Sequence, residues 1–208
     1  MMMNKIGDLL NEMIPHPRCE LAYSKDYELL IATVLSAQTL DARVNMVTKK
    51  LWSQYDIYSL AKANVKEVES IIKPIGTYHK KAEYIINIAK KLVNDYNGHV
   101  PNDRKYIESL AGVGHKTCNV VLYNIYNVPT MAVDTHVARV SKRLDIADAE
   151  DDVLMIEKKL QKYFPEAEWG MRHHQLVLFG RYICKAKNPD CTKCLLKEYC
   201  KYKKSSSI

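Results

Sequence analysis

The segment Lys80 to Tyr96, KKAEYIINIAKKLVNDY, places Ala82, Ile85, Ile86, Ala89, Leu92 and Val93 at i, i+3, i+4 and i+7 spacing. Such a stripe can bury itself only as one face of a helix, since a strand would send the same residues to both sides. Shorter stripes of the same kind run through Leu30 to Leu35, Val44 to Trp52, Val68 to Ile72, Val121 to Ile125, Val133 to Leu144, Val153 to Phe164 and Leu176 to Ile183. No segment alternates convincingly with period two, so the chain reads as all-α. Punctuation separates the helices at Pro74-Ile75-Gly76, Asn97-Gly98, Pro101-Asn102, Gly112 to Gly114, Asn127-Val128-Pro129 and the acidic loop Asp148 to Asp152. The loop's carboxylates suit the N-terminus of the following helix. There is no internal repeat, and only Lys203 to Ser207 has low complexity. A chain of 208 residues can form one large helical domain or two small ones without staples.

Charge and hydropathy narrow the partners. With 31 basic and 24 acidic side chains the net charge is +7, which favours a polyanion. No run approaches the ~18 apolar residues of a membrane span. The N-terminal MMMNKIGDLLNEMIPHP lacks a signal-like apolar core and carries Asp8 and Glu12, unlike a transit peptide. The expectation is a cytoplasmic protein that does not enter a membrane.

The stretch Leu110 to Thr117, LAGVGHKT, is the first with chemistry in it. It is not a nucleotide-binding P-loop: His115 separates Gly114 from Lys116, and the preceding DRKYIESL is not a strand pattern. Between two helices it becomes a tight glycine turn followed by a new helix starting near His115. Glycines let backbone N–H groups approach an anion, and the helix N-terminus adds uncapped donors, a combination suited to a nucleic-acid phosphate. An ordinary corner with a capping glycine satisfies the same residues. A lysine at such a helix start is in an unusual place, because the dipole disfavours its ammonium form, and a neutral amine can attack carbon to form a Schiff base. A merely solvated Lys116 is the plain alternative. Asp134 is suited to capping the helix that follows and equally to stabilising positive charge or moving protons.

Four of the six cysteines, Cys184, Cys191, Cys194 and Cys200, form a C-x6-C-x2-C-x5-C pattern within 17 residues. In a reducing compartment such a crowd is a metal-ligand set rather than two disulfides, and by spacing alone zinc or an iron–sulfur cluster satisfies it. Cys19 and Cys118 stand apart as small packing residues, and the adjacent His173 and His174 point to different helix faces and are structural. Lys185, Lys187, Lys193, Lys197, Lys201, Lys203 and Lys204 surround the cysteines against only Asp190 and Glu198. That density of cations is either a solvated face or a set of phosphate contacts.

LAGVGHKT followed by Val133-Asp134-Thr135-His136 resembles the helix-hairpin-helix and catalytic segments of the endonuclease III family of DNA glycosylases. LLIATVLSAQT (Leu29 to Thr39), IIKPIGTYHKKA (Ile71 to Ala82), GHVP (Gly98 to Pro101) and the cysteine spacing are also similar to that family, in order along nearly the whole chain. The resemblance implies two helical domains flanking a DNA-binding cleft, one of residues 21–130 and one of residues 1–20 with 131–208. It implies a base-excision-repair DNA glycosylase and abasic-site lyase that acts, as a monomer in the cytoplasm or on the nucleoid, on duplex DNA with oxidised or saturated pyrimidines or abasic sites. Lys116 would attack the sugar C1′, Asp134 would be its carboxylate, and Gln38 would fill the gap left by a flipped nucleotide. Gly112, Val113, Gly114, His115, His136, Lys187 and Lys193 would meet DNA, and the four cysteines would hold a [4Fe-4S] cluster.

Three positions depart from the family pattern: Thr77 stands for the leucine of IGLY, Ala111 for the proline of LPGVG, and His115 for a common arginine. The adenine-mismatch relatives carry a glutamate near Thr33 and usually lack the lysine, so that branch does not match. The rival readings are a monofunctional mismatch glycosylase and a non-catalytic DNA-binding module with a structural metal; the latter has no need of Lys116 with Asp134.

Overall fold

The computed structural model describes residues 5–202; Lys203, Lys204 and the rest of the low-complexity tail lie outside the described residues. Among the described residues there are helices and no strands. The chain divides into two compact units, one of Cys19–Tyr126 and one of Met1–Arg18 with Asn127–Ile208. These divisions fall two and four residues before the 20/21 and 130/131 boundaries that the resemblance implies.

The continuous unit is built on α2 (Asp26–Leu35), whose residues from Tyr27 to Leu35 are all buried because DYELLIATVL is apolar on every face. Packed on it are α3 (Asp41–Trp52), α6 (Tyr78–Tyr96) and α8 (His115–Tyr126). The short α4 (Ile57–Leu60), α5 (Val65–Ile72) and α7 (Arg104–Glu108) complete it. The stripe of α6 faces inward through Ala82, Ile85, Ile86, Ala89 and Leu92. That helix ends where Asn97 turns left-handed and the Gly98 N–H returns to the Leu92 carbonyl at 2.9 Å.

The discontinuous unit consists of α1 (Lys5–Met13), α9 (Thr135–Arg143), α10 (Val153–Tyr163) and α11 (Trp169–Tyr182). Their core includes Leu10, Val137, Val140, Leu160, Leu176 and Phe179. The buried Arg172 of α11 ties in the N-terminus by donating from Nη1 to the Gly7 carbonyl and Asn11 Oδ1, both at 2.8 Å. In the acidic loop Asp152 caps α10 through the Met155 N–H at 2.8 Å, while Asp148 and Asp151 both pair with Lys159. No helix among the described residues is long and apolar enough to cross a membrane.

Candidate active site and cysteine loop

Between α7 and α8 the chain makes the expected tight turn. Gly112 sits at φ +75°, and a Cβ there would lie 2.5 Å from Tyr84 Cδ2 of α6, so a side chain would be strained and would collide with a ring. Gly114 works differently, since its φ is not left-handed. Its carbonyl accepts from the Cys118 N–H at 3.0 Å, which makes it the first residue of the α8 cap, and nothing lies within 4 Å of where its Cβ would be. It brings no side-chain acceptor, and the N–H groups of Gly114, Lys116 and Thr117 have no acceptor among the described residues. The result is an open set of amides at the positive end of a helix dipole, a geometry suited to an anion.

Two residues of the turn are also engaged within the protein. Val113 is buried and donates its N–H to the Leu110 carbonyl at 3.1 Å, closing the turn. The His115 ring belongs to a brace. Asn119 Nδ2 lies 3.3 Å from His115 Nε2, His115 Nδ1 lies 3.3 Å from Glu108 Oε1, and Arg104 donates to Glu108 at 3.0 Å and to Asn119 Oδ1 at 2.8 Å. One tautomer satisfies the ring: Nε2 accepts and Nδ1–H donates. Histidine in place of the family's arginine therefore ties the two helices of the hairpin together.

Asp134 is in extended backbone at φ −109°, ψ −174° and caps α9: Oδ1 accepts from the His136 N–H at 2.9 Å and the Val137 N–H at 2.8 Å. No donor among the described residues reaches Oδ2. One oxygen thus secures the helix and leaves the other for chemistry, so capping does not consume the carboxylate. The His136 ring meets Arg139 Nη2 through Nδ1 at 3.2 Å.

Gln38 is exposed, with left-handed backbone at φ +56°. Beneath its loop lies Lys81, a buried lysine of α6 whose ammonium faces the carbonyls of Leu35 and Ala37. Burial lowers the Lys81 pKa from its ordinary value.

Between α11 and Cys200 the chain has no regular structure apart from two 3₁₀ turns, Cys191–Lys193 and Lys197–Tyr199, which position Cys191, Cys194 and Cys200. Helix α9 holds the loop's start: Arg139 Nε donates to the Cys184 carbonyl at 3.1 Å. Arg143 donates to Cys184 Sγ at 3.3 Å and to the carbonyls of Lys185 and Ala186 at 2.7 and 3.2 Å. Burial pushes the Cys194 thiol up, the Leu196 N–H pulls it down, and the nearby Cys184, Cys200 and Cys191 push it up. The four thiols therefore share one neighbourhood, although among the described residues no three His, Cys, Asp or Glu side chains converge where a single metal ion could sit. Of the loop lysines proposed for DNA, Lys187 is exposed and unpaired among the described residues, whereas Lys193 pairs with Asp190 at 3.2 Å. Lys201 pairs with Asp145.

Residues 31–166 match the family model of the HhH-GPD superfamily base excision DNA repair proteins. The endonuclease III of Bacillus subtilis (strain 168) is 46% identical over 203 residues, covering 96% of this chain and 90% of that protein. The chain belongs to the endonuclease III family. Two solved endonuclease III structures agree. A trapped endonuclease III–DNA covalent intermediate matches at TM-score 0.92 and 44% identity over 100% of both chains. A non-covalent endonuclease III–DNA complex matches at TM-score 0.93 and 43% identity, covering 100% of this chain and 99% of that one.

In this endonuclease III family member, sequence reasoning missed two side chains near the site. Lys81 shares the buried stripe of Ile85, Ile88 and Leu92 at i, i+4, i+7 and i+11, and a lysine on an apolar stripe was the available signal. Cys19 is half-buried. Burial raises its thiol pKa and the Leu21 backbone lowers it, while Asp41 and Lys116 are close enough to act on it, raising and lowering it respectively. No linear pattern joins Cys19 to Lys116.

Proposed function

We propose that this endonuclease III family protein excises oxidised or saturated pyrimidines from duplex DNA and cleaves the resulting abasic strand. Its nucleophile is Lys116, its carboxylate is Asp134, and Gln38 occupies the gap left by the flipped nucleotide. The observation that carries the reading is the position of Lys116 in the first turn of α8, directly after a glycine cap with unused amides. Those amides, at Gly114, Lys116 and Thr117, hold a backbone phosphate without reading sequence and so bring the sugar to the lysine.

The Lys116 amine forms a bond to C1′, and the C1′–N bond breaks with its electron pair leaving on the base, which takes up a proton. Opening of the sugar gives an imine between Nζ and C1′. Loss of a proton from C2′ then expels the 3′ phosphate with its C3′–O electrons, and water hydrolyses the imine to restore the amine. Asp134 stabilises the positive charge that builds on the sugar and moves protons through its uncapped oxygen. A mismatch glycosylase that only releases bases, or a binding module, has no use for this lysine.

The four cysteines suit a [4Fe-4S] cluster better than zinc. Tetrahedral zinc needs sulfurs at ~2.3 Å around one point, whereas a cubane takes one thiolate per iron and tolerates thiols that share a neighbourhood without converging. When bound, the cluster supplies a fixed cross-link among the four thiolates. The protein is read as cytosolic, where cysteines stay reduced and available to a metal centre.

Borohydride reduces an imine to a stable amine, so incubation with lesion-bearing duplex should yield a covalent protein–DNA adduct cross-linked at Lys116. Lys116→Gln should lose the adduct and strand cleavage yet keep binding, since one ammonium contributes at most about one phosphate contact. Normal base release by Lys116→Gln, with no adduct in the wild type, would replace this proposal by the monofunctional one.

A further inference from the structure

We infer that Lys81 is a positioning residue for base excision, setting the loop from which Gln38 enters the DNA; the inference rests on the gap-filling role proposed for Gln38. The four last carbonyls of α2 have no partners inside the helix and must find them elsewhere. The Ser36 N–H takes Ala32 at 2.9 Å, Ser36 Oγ takes Thr33 at 2.8 Å, and the Ala37 N–H takes Val34 at 3.4 Å. The fourth, Leu35, is taken by Lys81 Nζ at 2.9 Å from a helix 46 residues away in sequence.

The same ammonium then donates to the Ala37 carbonyl at 2.7 Å and to Thr39 Oγ1 at 3.4 Å. Both neighbours of Gln38 are thereby bound to one buried group, while Gln38 itself projects, exposed, without a hydrogen-bond partner among the described residues. Its left-handed backbone is strained for a residue with a side chain and persists only where the surroundings over-determine it.

Packing alone does not call for a lysine here. Lys81 as a whole is only 5% exposed, so its charge is costly to bury, and among the described residues no carboxylate pairs with it. What compensates is the negative end of the α2 dipole and three acceptors, all in the segment that carries Gln38. Helix α6 also supports the rest of the site. Tyr84 lies against Gly112 of the hairpin, and Lys81 and Tyr84 stand at i and i+3 on the helix. One rigid helix thus fixes the spacing between the gap-filling loop and the phosphate-binding turn.

The test is a double-mutant cycle on the full-length protein, read as the single-turnover excision rate of a 5,6-saturated thymine. One substrate is a fully paired duplex; the other carries the lesion as an unpaired bulge, where extrusion orphans no partner base. Gln38→Ala and Lys81→Met should each slow the paired duplex by about tenfold or more and the bulge by less than about threefold. In the Gln38→Ala background, Lys81→Met should add less than about twofold, because the two act as one unit.

Equal slowing of both substrates by Lys81→Met, or its full effect persisting in the Gln38→Ala background, overturns the positioning role while leaving Gln38 in place. Gln38→Ala excising the paired duplex at the wild-type rate overturns the gap-filling role and this inference with it. Should Lys81→Met fail to fold, Thr39→Val removes one of the three acceptors without disturbing the charge. It should reproduce the paired-over-bulged selectivity at about two- to threefold, and its absence there also overturns the inference.

Discussion

The unit of Cys19–Tyr126 and the cysteine loop of the other unit are held together by different physics. In the first, α2 is buried from end to end and Leu29, Leu30, Ile31 and Leu35 have no exposed surface, so apolar burial fixes the structure by itself. In the second, residues 183–200 contain two single-turn 3₁₀ helices, and Leu196 is their one fully buried hydrophobic side chain. The loop's geometry comes from arginine donors on α9 and, in the proposed holo-protein, from four thiolates on one cluster. Cys118 lies wholly buried inside the first unit, whereas the four cysteines of the loop, like Cys19 at the first unit's edge, are half-buried. A region fixed by burial should fail globally, and one fixed by directed bonds should fail locally.

The largest expected effect comes from breaking the loop. In Cys194→Ser, iron should fall from about four per chain to near zero, and amide hydrogen exchange over residues 184–200 should approach that of an open chain. The amides of α2 should keep their protection. Parallel loss of protection in α2 would show that the two regions stand or fall together and would break the comparison. The converse variant, Leu30→Ala, opens a cavity in the dry core and should cost about 2–5 kcal/mol in chemical unfolding. Iron per folded chain should be unchanged; a fall would contradict the separation.

Smaller effects sharpen the contrast. Arg143→Met removes the donors to Cys184 Sγ, Lys185 and Ala186 but leaves Arg139 on the Cys184 carbonyl. It should cost about 1–3 kcal/mol, seen as faster exchange confined to residues 183–190. Exchange that also quickens in α10 would place Arg143 in the core rather than the loop. Asp134→Ala should lose about 1 kcal/mol by removing the α9 cap, and Asp134→Asn almost nothing, although both should slow base release. If Asn restored turnover as well as stability, Asp134 would be a cap alone.

The smallest effect concerns Cys118, whose thiol burial pushes up to about 11. Its folded pKa lies above the unfolded one, so its contribution to stability is whole below the ordinary thiol value and is lost as pH rises toward 11. Between pH 8 and pH 10 the loss should be about 1 kcal/mol. Comparing urea unfolding of the wild type with Cys118→Ala isolates this share, because the variant should lack that part of the alkaline slope. An identical slope in both proteins would mean that Cys118 is not sealed in the core.

Much of the fold was legible in the linear pattern because helical burial is periodic. The stripes at Leu30 to Leu35, Val44 to Trp52, Val68 to Ile72 and Lys80 to Tyr96 all lie in helices, as do most of those further on. Helix α1 was missed: its nine residues bury only Ile6, Gly7 and Leu10, and its place depends on Arg172, more than 160 residues away. The glycine turn was legible because Gly112 and Gly114 are local necessities, and the Asp134 cap because a cap reaches only two or three residues along the chain.

The sequence by itself therefore determined the helical class, the hairpin with its lysine, the aspartate that opens α9 and the crowding of four cysteines, each set by residues close together in the chain. Only the tertiary structure decided that His115 closes a ring with Arg104, Glu108 and Asn119. It also decided that Lys81 crosses 46 residues to hold the end of α2, and that Arg143 crosses about forty to hold the cysteine loop. Periodicity records which face of a helix is buried. It does not record which distant acceptor a long side chain finds there, because that depends on how the helices pack, and packing is a property of the whole folded chain.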